Sequence, residues 1–345
     1  MCIETRRQNV LWCAMTGLRT VVSVILIAVT TLEIGSASEI GSARSEQTTR
    51  PTIANITYTP TDPERSRGHL LDLYLPAAAT KPVPVVIFTG GSGWKGDNDK
   101  AGAGEVAAQL NPAGLAVAGV SIRSSAQTTF PGQLYDIKAA IRWLRANAAK
   151  YNLDPNRIGY MGGSSGAWAA VLAAVTGDRP ELEGKLSAVG VSSAVQAVVA
   201  FSPTTDFLSM DGAHYYSATW PIGRLLGCAP NTCPEKARAA SPAHYVTGKE
   251  PPIMIFHGEL DQKVTHNQSE LLYEALKEAC DEAVFISLPK AGHGPSNAFL
   301  TSNALREGAT IRSVSTADCK ATNAAPFTPT WKTVIDFLNR HLGVE

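Results

Sequence analysis

The sequence has no excess of charge of either sign. Its 30 lysines and arginines balance 30 aspartates and glutamates over 345 residues. Proteins that bind nucleic acid present a basic surface to the phosphates, and no basic stripe is present here. We therefore expect no nucleic-acid partner. A neutral surface favours small, uncharged substrates.

The sequence also lacks a long apolar run near its N-terminus. The uncharged run from Val21 to Leu32 falls short of the ~20 residues that a membrane-spanning helix needs. Basic residues precede this run and small residues follow it, which is typical of a secretory signal peptide. We predict a signal peptide at 1–37 and a flexible leader at 38–51. The mature protein is then secreted or periplasmic, without a stable membrane anchor.

Cysteine is scarce, and two of the six cysteines fall within the predicted signal peptide. The remaining four are Cys228, Cys233, Cys280 and Cys319. An even number in an exported chain favours disulfides. We expect Cys228–Cys233, which closes a tight loop, and Cys280–Cys319, with four reduced and buried thiols as the alternative. No Cys-x-x-Cys pair or histidine cluster accompanies them, so no metal site is expected.

Strand-like and helix-like segments alternate from about residue 52 onward. Short apolar runs typical of buried strands lie at 83–88, 116–122, 157–161, 197–201, 252–256 and 283–288. Helical segments lie at 133–149, 167–175, 268–279 and 330–342. This alternation predicts an α/β fold with a mostly parallel central sheet and helices on both faces. The rhythm breaks at about 206–246, which predicts an insertion over the carboxyl ends of the strands within one domain at 52–345.

The most informative stretch is Gly162-Gly163-Ser164-Ser165-Gly166, which has the pattern G-x-S-x-G. It lies between a predicted strand and a predicted helix. A serine on such a strand-turn-helix bend is strained and exposed. Gly162 and Gly166 leave space where a Cβ would collide with the neighbouring strand and helix. The context predicts that Ser164 is a nucleophile.

A serine hydroxyl is a weak nucleophile at neutral pH, so it needs a base and a group that orients the base. Asp261 follows the strand at 252–256, and His293 follows the strand at 283–288. The order Ser, Asp, His is that of the α/β-hydrolase triad. We therefore predict His293 as the general base and Asp261 as the orienting acid.

Other ionisable residues lie close to these positions in the sequence. Glu259 is the alternative acid. His257 ends a predicted strand, and we expect it to pack under the loop in a structural role. His266 is expected to face solvent.

The negative oxygen that forms during attack needs N–H donors already aimed at it. The backbone N–H of Ser165 is expected to be one donor. The loop after the strand at 83–88 is rich in glycine, and glycine lets the backbone approach a substrate closely. We predict Gly90 and Gly91 as further N–H donors, with Ser92 as an alternative. No Gly-Lys-Ser/Thr sequence follows, so this loop is not a phosphate-binding loop.

With these residues in place, residues 55–345 resemble the α/β-hydrolase-fold carboxylesterases. They are most similar to the hormone-sensitive-lipase-like enzymes and to the bacterial feruloyl/acetyl-xylan esterase-like group. The most specific stretch runs from Phe130 to Gly166, where Asp136 and Asp154 keep the family's spacing. The resemblance implies a catalytic domain that hydrolyses small-molecule or polymer-borne esters through an acyl-enzyme, without a metal or organic cofactor.

The sequence departs from this family at two places. The glycine loop has Thr89 where a histidine is usual, and one extra residue precedes Trp94. Trp168 lies in the predicted helix that follows the Ser164 turn, where the family usually has a run of small residues or a run that contains histidine. Its side chain either narrows the acyl site or belongs to the core. Two alternative functions stay open, a prolyl-oligopeptidase-like serine peptidase and an inactive hydrolase-fold binding protein.

Overall fold

The structure is a computed structural model that describes residues 50–344 except 78, 178, 211, 213, 214, 216 and 295. The predicted signal peptide, and all but the last two residues of the predicted leader, lie outside the described residues. The strands are β1 Ile53–Thr57, β2 Leu70–Tyr74, β3 Val83–Thr89, β4 Ala116–Val120, β5 Leu153–Gly163, β6 Ala197–Phe201, β7 Ile253–Gly258, β8 Ala283–Leu288, β9 Thr310–Val314 and β10 Ala321–Ala324. The α-helices are α1 Ala103–Leu110, α2 Gly132–Ala146, α3 Ser165–Val175, α4 Pro221–Leu226, α5 Pro234–Ala239, α6 Asn267–Glu278, α7 Ser296–Thr301, α8 Asn303–Arg306 and α9 Trp331–Leu342.

The strands form one mixed sheet in the order β1-β2-β4-β3-β5-β6-β7-β8-β9-β10. The six central strands, from β4 to β8, run parallel. The outer strands β1, β2, β9 and β10 pair antiparallel. The prediction of a mostly parallel sheet is confirmed, and the antiparallel margins are an addition to it.

Helices cover both faces of the sheet. Alternate side chains of a strand point to opposite faces, so Val85 and Ile87 of β3 join one apolar cluster, while Val86 and Phe88 join the other. The first cluster includes buried residues of α2, α3 and α6, and the second includes those of α1 and α9. In the part of the chain described, no helix is both long and apolar enough to cross a bilayer.

Strand register brings the predicted site residues to the same edge. Thr89, the last residue of β3, pairs with Gly162 near the end of β5. Gly258, the last residue of β7, pairs with Leu288 at the end of β8. The loops that follow these four strands therefore leave the sheet side by side, at its carboxyl edge.

Candidate active site

Ser164 lies on a sharp turn between β5 and α3. Its backbone has φ 55° and ψ −122°, which is unfavourable for a residue with a side chain. A Cβ on Gly162 would lie 2.2 Å from the carbonyl oxygen of Gly166, and a Cβ on Gly166 would lie 1.9 Å from that of Thr89. The prediction that neither glycine tolerates a side chain is confirmed. These two glycines permit the turn that presents Ser164.

The structure brings Ser164, His293 and Asp261 together. His293 Nε2 lies 3.1 Å from Ser164 Oγ, and His293 Nδ1 lies 2.7 Å from Asp261 Oδ2. Both are hydrogen-bonding distances. The three residues predicted from the sequence thus form one hydrogen-bonded chain from hydroxyl to imidazole to carboxylate.

Asp261 is buried and well supplied with hydrogen bonds. It is 5% exposed, and its Oδ1 accepts the N–H groups of Lys263 at 2.8 Å and Val264 at 3.0 Å. Burial raises the pKa of this carboxyl, but hydrogen bonds from two neighbouring imidazoles and a backbone N–H outweigh burial and hold the pKa well below its usual range. Asp261 is therefore an anion at neutral pH, as an orienting acid needs to be.

His257 is the second imidazole beside Asp261. Its Nε2 lies 3.4 Å from Asp261 Oδ2 and 2.9 Å from the carbonyl oxygen of Val264. Its Nδ1 lies 2.6 Å from Ser269 Oγ. The ring is fully buried. It packs under the loop that carries Asp261, as predicted, and ties that loop to the start of α6.

Glu259 and His266 have partners away from the hydrogen-bonded chain. Glu259 Oε1 accepts a hydrogen bond from Ser287 Oγ at 2.7 Å, and His266 Nε2 lies 2.9 Å from the same hydroxyl oxygen. The expectation that His266 faces solvent is wrong, because its side chain is only 19% exposed. Its ring packs against those of His257 and Phe285, each at 5.4 Å between centroids.

The loop after β3 places Gly91 directly against Ser164. A Cβ on Gly91 would lie 2.6 Å from Ser164 Cβ. The predicted donor Gly90 is not available for the oxyanion, because its N–H donates to the carbonyl oxygen of Asp99 at 2.6 Å. The N–H of Gly91 has no acceptor among the described residues. Gly91 is thus the residue of this pair that can serve a substrate oxygen.

The next two N–H groups of this loop donate to the side chain of Ser165, the residue after Ser164. Ser92 and Gly93 donate to Ser165 Oγ at 3.0 and 3.1 Å, so the alternative donor Ser92 is also engaged. The N–H of Ser165 itself, at the first position of α3, has no acceptor in the described part of the chain. The open N–H groups beside Ser164 are therefore those of Gly91 and Ser165. The sequence pattern treats the position of Ser165 as free, so its side-chain contact could not be found from the motif.

Trp168 belongs to the core. It is fully buried, its Nε1–H donates to the carbonyl oxygen of Ala240 at 2.8 Å, and its ring packs edge-on against Trp94 at 5.3 Å between centroids. It lines neither cavity at Ser164. Of the two roles that the sequence leaves open, the structure selects packing, with Trp168 supporting the glycine loop through Trp94.

Two cavities meet at Ser164 and His293. The first, which we term the aromatic cavity, has a volume of about 400 Å³ and is lined in part by Trp94, Met210, Trp220 and Ile222. The second, termed the helix-lined cavity, has about 470 Å³ and is lined in part by Glu105, Ser296, Asn297 and Trp331. The stretch at 206–246, which the sequence predicts to be an insertion, contributes three of these aromatic-cavity residues. The helix-lined cavity was not predicted, because the four residues named for it lie in α1, α7 and α9 and share no motif.

The four cysteines of the described region are paired as expected from the sequence. Cys228 bonds to Cys233 and Cys280 bonds to Cys319, with Cα–Cα distances of 6.3 and 5.0 Å. Within the residues that the structure describes, no group of three or more His, Cys, Asp or Glu side chains is placed to hold a metal ion.

The chain resembles known proteins both in sequence and in structure. The family model described as BD-FAE matches residues 71–276. Esterase LipQ of Mycobacterium tuberculosis is 30% identical over 230 residues, covering 66% of this chain and 54% of LipQ. The chain therefore spans about half the length of the curated relatives that it matches.

Two solved structures share the architecture over most of the chain. One is a truncated form of a carbohydrate esterase from gut microbiota, with 31% identity and a TM-score of 0.69, covering 84% of this chain and 95% of that chain. The other is an acetyl ester-xyloside bifunctional hydrolase from Caldicellulosiruptor lactoaceticus, with 25% identity and a TM-score of 0.62. It covers 73% of this chain and 92% of that chain.

Proposed function

The chain belongs to the BD-FAE family, and from this we propose that it hydrolyses carboxylic esters with Ser164 as the nucleophile. The observation that carries the proposal is the hydrogen-bonded chain from Ser164 Oγ through the His293 imidazole to the Asp261 carboxylate, at 3.1 and 2.7 Å. Two open N–H groups, of Gly91 and Ser165, lie beside it. Nucleophile, base, orienting acid and oxyanion donors are the parts that acyl transfer needs.

This geometry supports the following steps. Ser164 Oγ attacks the ester carbonyl carbon while His293 Nε2 takes the hydroxyl proton. The carbonyl oxygen becomes negative and is stabilised by the N–H groups of Gly91 and Ser165. The carbon–oxygen bond to the alcohol then breaks, and His293 returns the proton to the departing alkoxide. Water, deprotonated by His293, attacks the acyl-enzyme and releases the carboxylic acid and free Ser164.

Asp261 acts on His293 and not on the ester. Its charge is fixed because hydrogen bonds lower its pKa more than burial raises it. An anion bonded to Nδ1–H leaves Nε2 unprotonated and facing Ser164 Oγ, and it stabilises the imidazolium that forms during attack.

We propose a carbohydrate-borne ester as the substrate class. The two solved structures described above are a carbohydrate esterase and an acetyl ester-xyloside hydrolase by their names. The helix-lined cavity supports this, since the Glu105 carboxylate and the Asn297 amide N–H groups suit sugar hydroxyls, while the Asn297 amide oxygen accepts from Trp331 Nε1–H. We place the remainder of the ester in the aromatic cavity, which Trp94, Trp220 and Ile222 line in part.

The protein is proposed to act outside the cytoplasm. The N-terminal sequence pattern supports export, and disulfides such as Cys228–Cys233 and Cys280–Cys319 persist mainly in oxidising compartments.

Replacing the nucleophile tests the proposal. Ser164→Ala removes the attacking oxygen, so kcat/KM on short p-nitrophenyl esters and on acetylated xylo-oligosaccharides is expected to fall by roughly 10⁴-fold or more. The melting temperature is expected to stay within a few degrees. Ser193→Ala is the control, because Ser193 is a hydrogen-bonded serine that donates to Glu183 at 2.7 Å and lines neither cavity. Activity retained in Ser164→Ala would show that the ester is cleaved elsewhere.

A second pair of variants in the same assay distinguishes the acid. Asp261→Asn is expected to lower kcat by roughly 10³-fold or more, because the amide favours the wrong imidazole tautomer. Glu259→Gln is expected to leave kcat within about twofold. The reverse pattern would make Glu259 the orienting acid.

Faster cleavage of p-nitroanilides than of the matching p-nitrophenyl esters would favour the serine peptidase as the function instead.

A further inference from the structure

Gly91 stands between two anchored parts of the glycine loop at 90–94. On one side, the Gly90 N–H donates to the carbonyl oxygen of Asp99 at 2.6 Å. On the other side, the next two N–H groups both donate to Ser165 Oγ, at 3.0 and 3.1 Å. The Gly91 N–H has no acceptor among the described residues, yet its neighbours fix its direction.

Ser165 is well placed to hold this loop. It is 3% exposed, and it opens α3, so the helix fixes its backbone. The turn at Ser164 needs no hydroxyl at position 165, because the G-x-S-x-G pattern requires only the flanking glycines and the nucleophile. The side chain of Ser165 therefore has a contact that the turn does not explain.

We propose that the Ser165 hydroxyl is a positioning group for the oxyanion site. By holding the 90–94 loop, the Ser165 side chain keeps the Gly91 N–H aimed at the substrate oxygen to which the Ser165 N–H also donates. Ser165 then supplies one oxyanion donor through its backbone, and it orients the other, the Gly91 N–H, through its side chain. This inference rests on the proposed ester hydrolysis at Ser164.

The backbone conformation of the 90–94 loop is unfavourable unless contacts such as that of the Ser165 hydroxyl stabilise it. Gly93 and Trp94 have φ angles of 60° and 56°, and a positive φ is unfavourable for a residue with a side chain such as Trp94. Without the Ser165 hydroxyl, two N–H groups lose their acceptor and turn toward water, which moves the Gly91 N–H. The oxyanion carries its full charge only near the transition state, so the loss falls on kcat and not on KM.

The test compares Ser165→Ala with Ser165→Thr, which keeps the hydroxyl, and with the buried control Ser193→Ala. Removing one oxyanion donor costs about 10²- to 10³-fold. Displacing one is therefore expected to lower kcat by about 10- to 100-fold in Ser165→Ala, with KM within about twofold. The affinity for an arylboronic acid, which mimics the tetrahedral intermediate, should fall by the same factor. Amide hydrogen exchange at Ser92 and Gly93, followed by NMR, should become faster.

The controls separate positioning from general loss of stability. Ser165→Thr should restore most of the kcat and slow the exchange again, and Ser193→Ala should change neither. The proposal is overturned if Ser165→Ala keeps kcat within twofold, or if kcat falls while exchange at Ser92 and Gly93 is unchanged. If the wild-type protein cleaves no ester, the proposed function is wrong. The exchange rates at Ser92 and Gly93 would still test whether the Ser165 hydroxyl holds the loop.

Discussion

Asp99 places a buried carboxyl behind the glycine loop at 90–94. The residue is 6% exposed, and its main-chain oxygen holds the Gly90 N–H. Burial raises the pKa of its side chain to about 7, and hydrogen bonds from Ser92 and from the Ile122 N–H offset the rise only in part. The fold therefore keeps a proton on Asp99 at a pH where an exposed aspartate has lost it.

The raised pKa of Asp99 makes its contribution to the free energy of unfolding depend on pH. The unfolded state releases the proton near pH 3.9, whereas the folded state keeps it up to about pH 7. The contribution of Asp99 to the free energy of unfolding therefore falls as pH rises through this window. Asp99→Asn keeps the neutral form, so the variant is expected to gain stability relative to wild type between about pH 4 and pH 7. Urea denaturation across this range measures the difference, and parallel curves would contradict the shift.

Single residues differ in how far the sequence could predict them. Ser164, Asp261 and His293 each follow a strand in a known order, so their meeting was predictable. The partner of Gly90 was not, because it is a main-chain oxygen of Asp99 that no motif encodes. The contact of the Ser165 hydroxyl was missed for the same reason, since it depends on how a distant loop closes.

Helix α2 is tied to the sheet by one buried carboxylate. Asp136 is fully buried and accepts hydrogen bonds from the Arg123 guanidinium, the nearest at 2.7 Å, and from the Arg123 N–H at 3.0 Å. His69 Nε2 lies 3.1 Å from the same side chain. The carboxylate thus joins α2 to the loop after β4 and to the residue before β2.

Removing this carboxylate should weaken the whole element. Asp136→Ala leaves the largely buried Arg123 cation with only the exposed Asp62 carboxylate, at 3.5 Å, as a counter-ion, so a loss of about 3–5 kcal/mol in the free energy of unfolding is expected. Asp154→Ala is the matched control, because its salt bridge with Arg157, at 2.8 Å, is more exposed and such pairs contribute about 0–1 kcal/mol. Chemical denaturation of both variants gives the comparison. Equal losses would show that the buried cluster is not a tie between elements.

The elements themselves were predicted unevenly. The buried parallel strands were found within a few residues, because continuous apolar runs mark them. The four antiparallel strands β1, β2, β9 and β10 were missed. Nearly all residues of β1 and β10 are exposed and carry no apolar pattern. Strand β5 begins at Leu153, before the predicted start at 157, because it continues through Pro155, a residue usually read as a break.

At the scale of the whole molecule, two disulfides constrain the chain very differently. Cys280–Cys319 spans 39 residues and joins the end of α6 to the turn between β9 and β10, while Cys228–Cys233 spans only 5. The loop-entropy relation gives about 4 kcal/mol for the first and about 2 kcal/mol for the second. The paired variants Cys280→Ser/Cys319→Ser should therefore lower the melting temperature more than Cys228→Ser/Cys233→Ser.

Scanning calorimetry of both double variants, with and without reductant, checks this ranking. Reductant should lower the melting temperature of wild type. It should not change the melting temperature of a variant that lacks both disulfides. A wild-type melting temperature that is insensitive to reductant would count against both bonds.

Ser164 and His293 lie 129 residues apart in the sequence, with β6 and β7 between the strands that carry them. During synthesis, a ribosome-bound chain holds the serine long before the histidine emerges. On the proposed mechanism, such a chain cannot activate its serine even where the Ser164 turn has formed. Labelling by a fluorophosphonate probe would therefore begin only after β8 has joined the sheet, so the labelled fraction would report the time at which β8 folds.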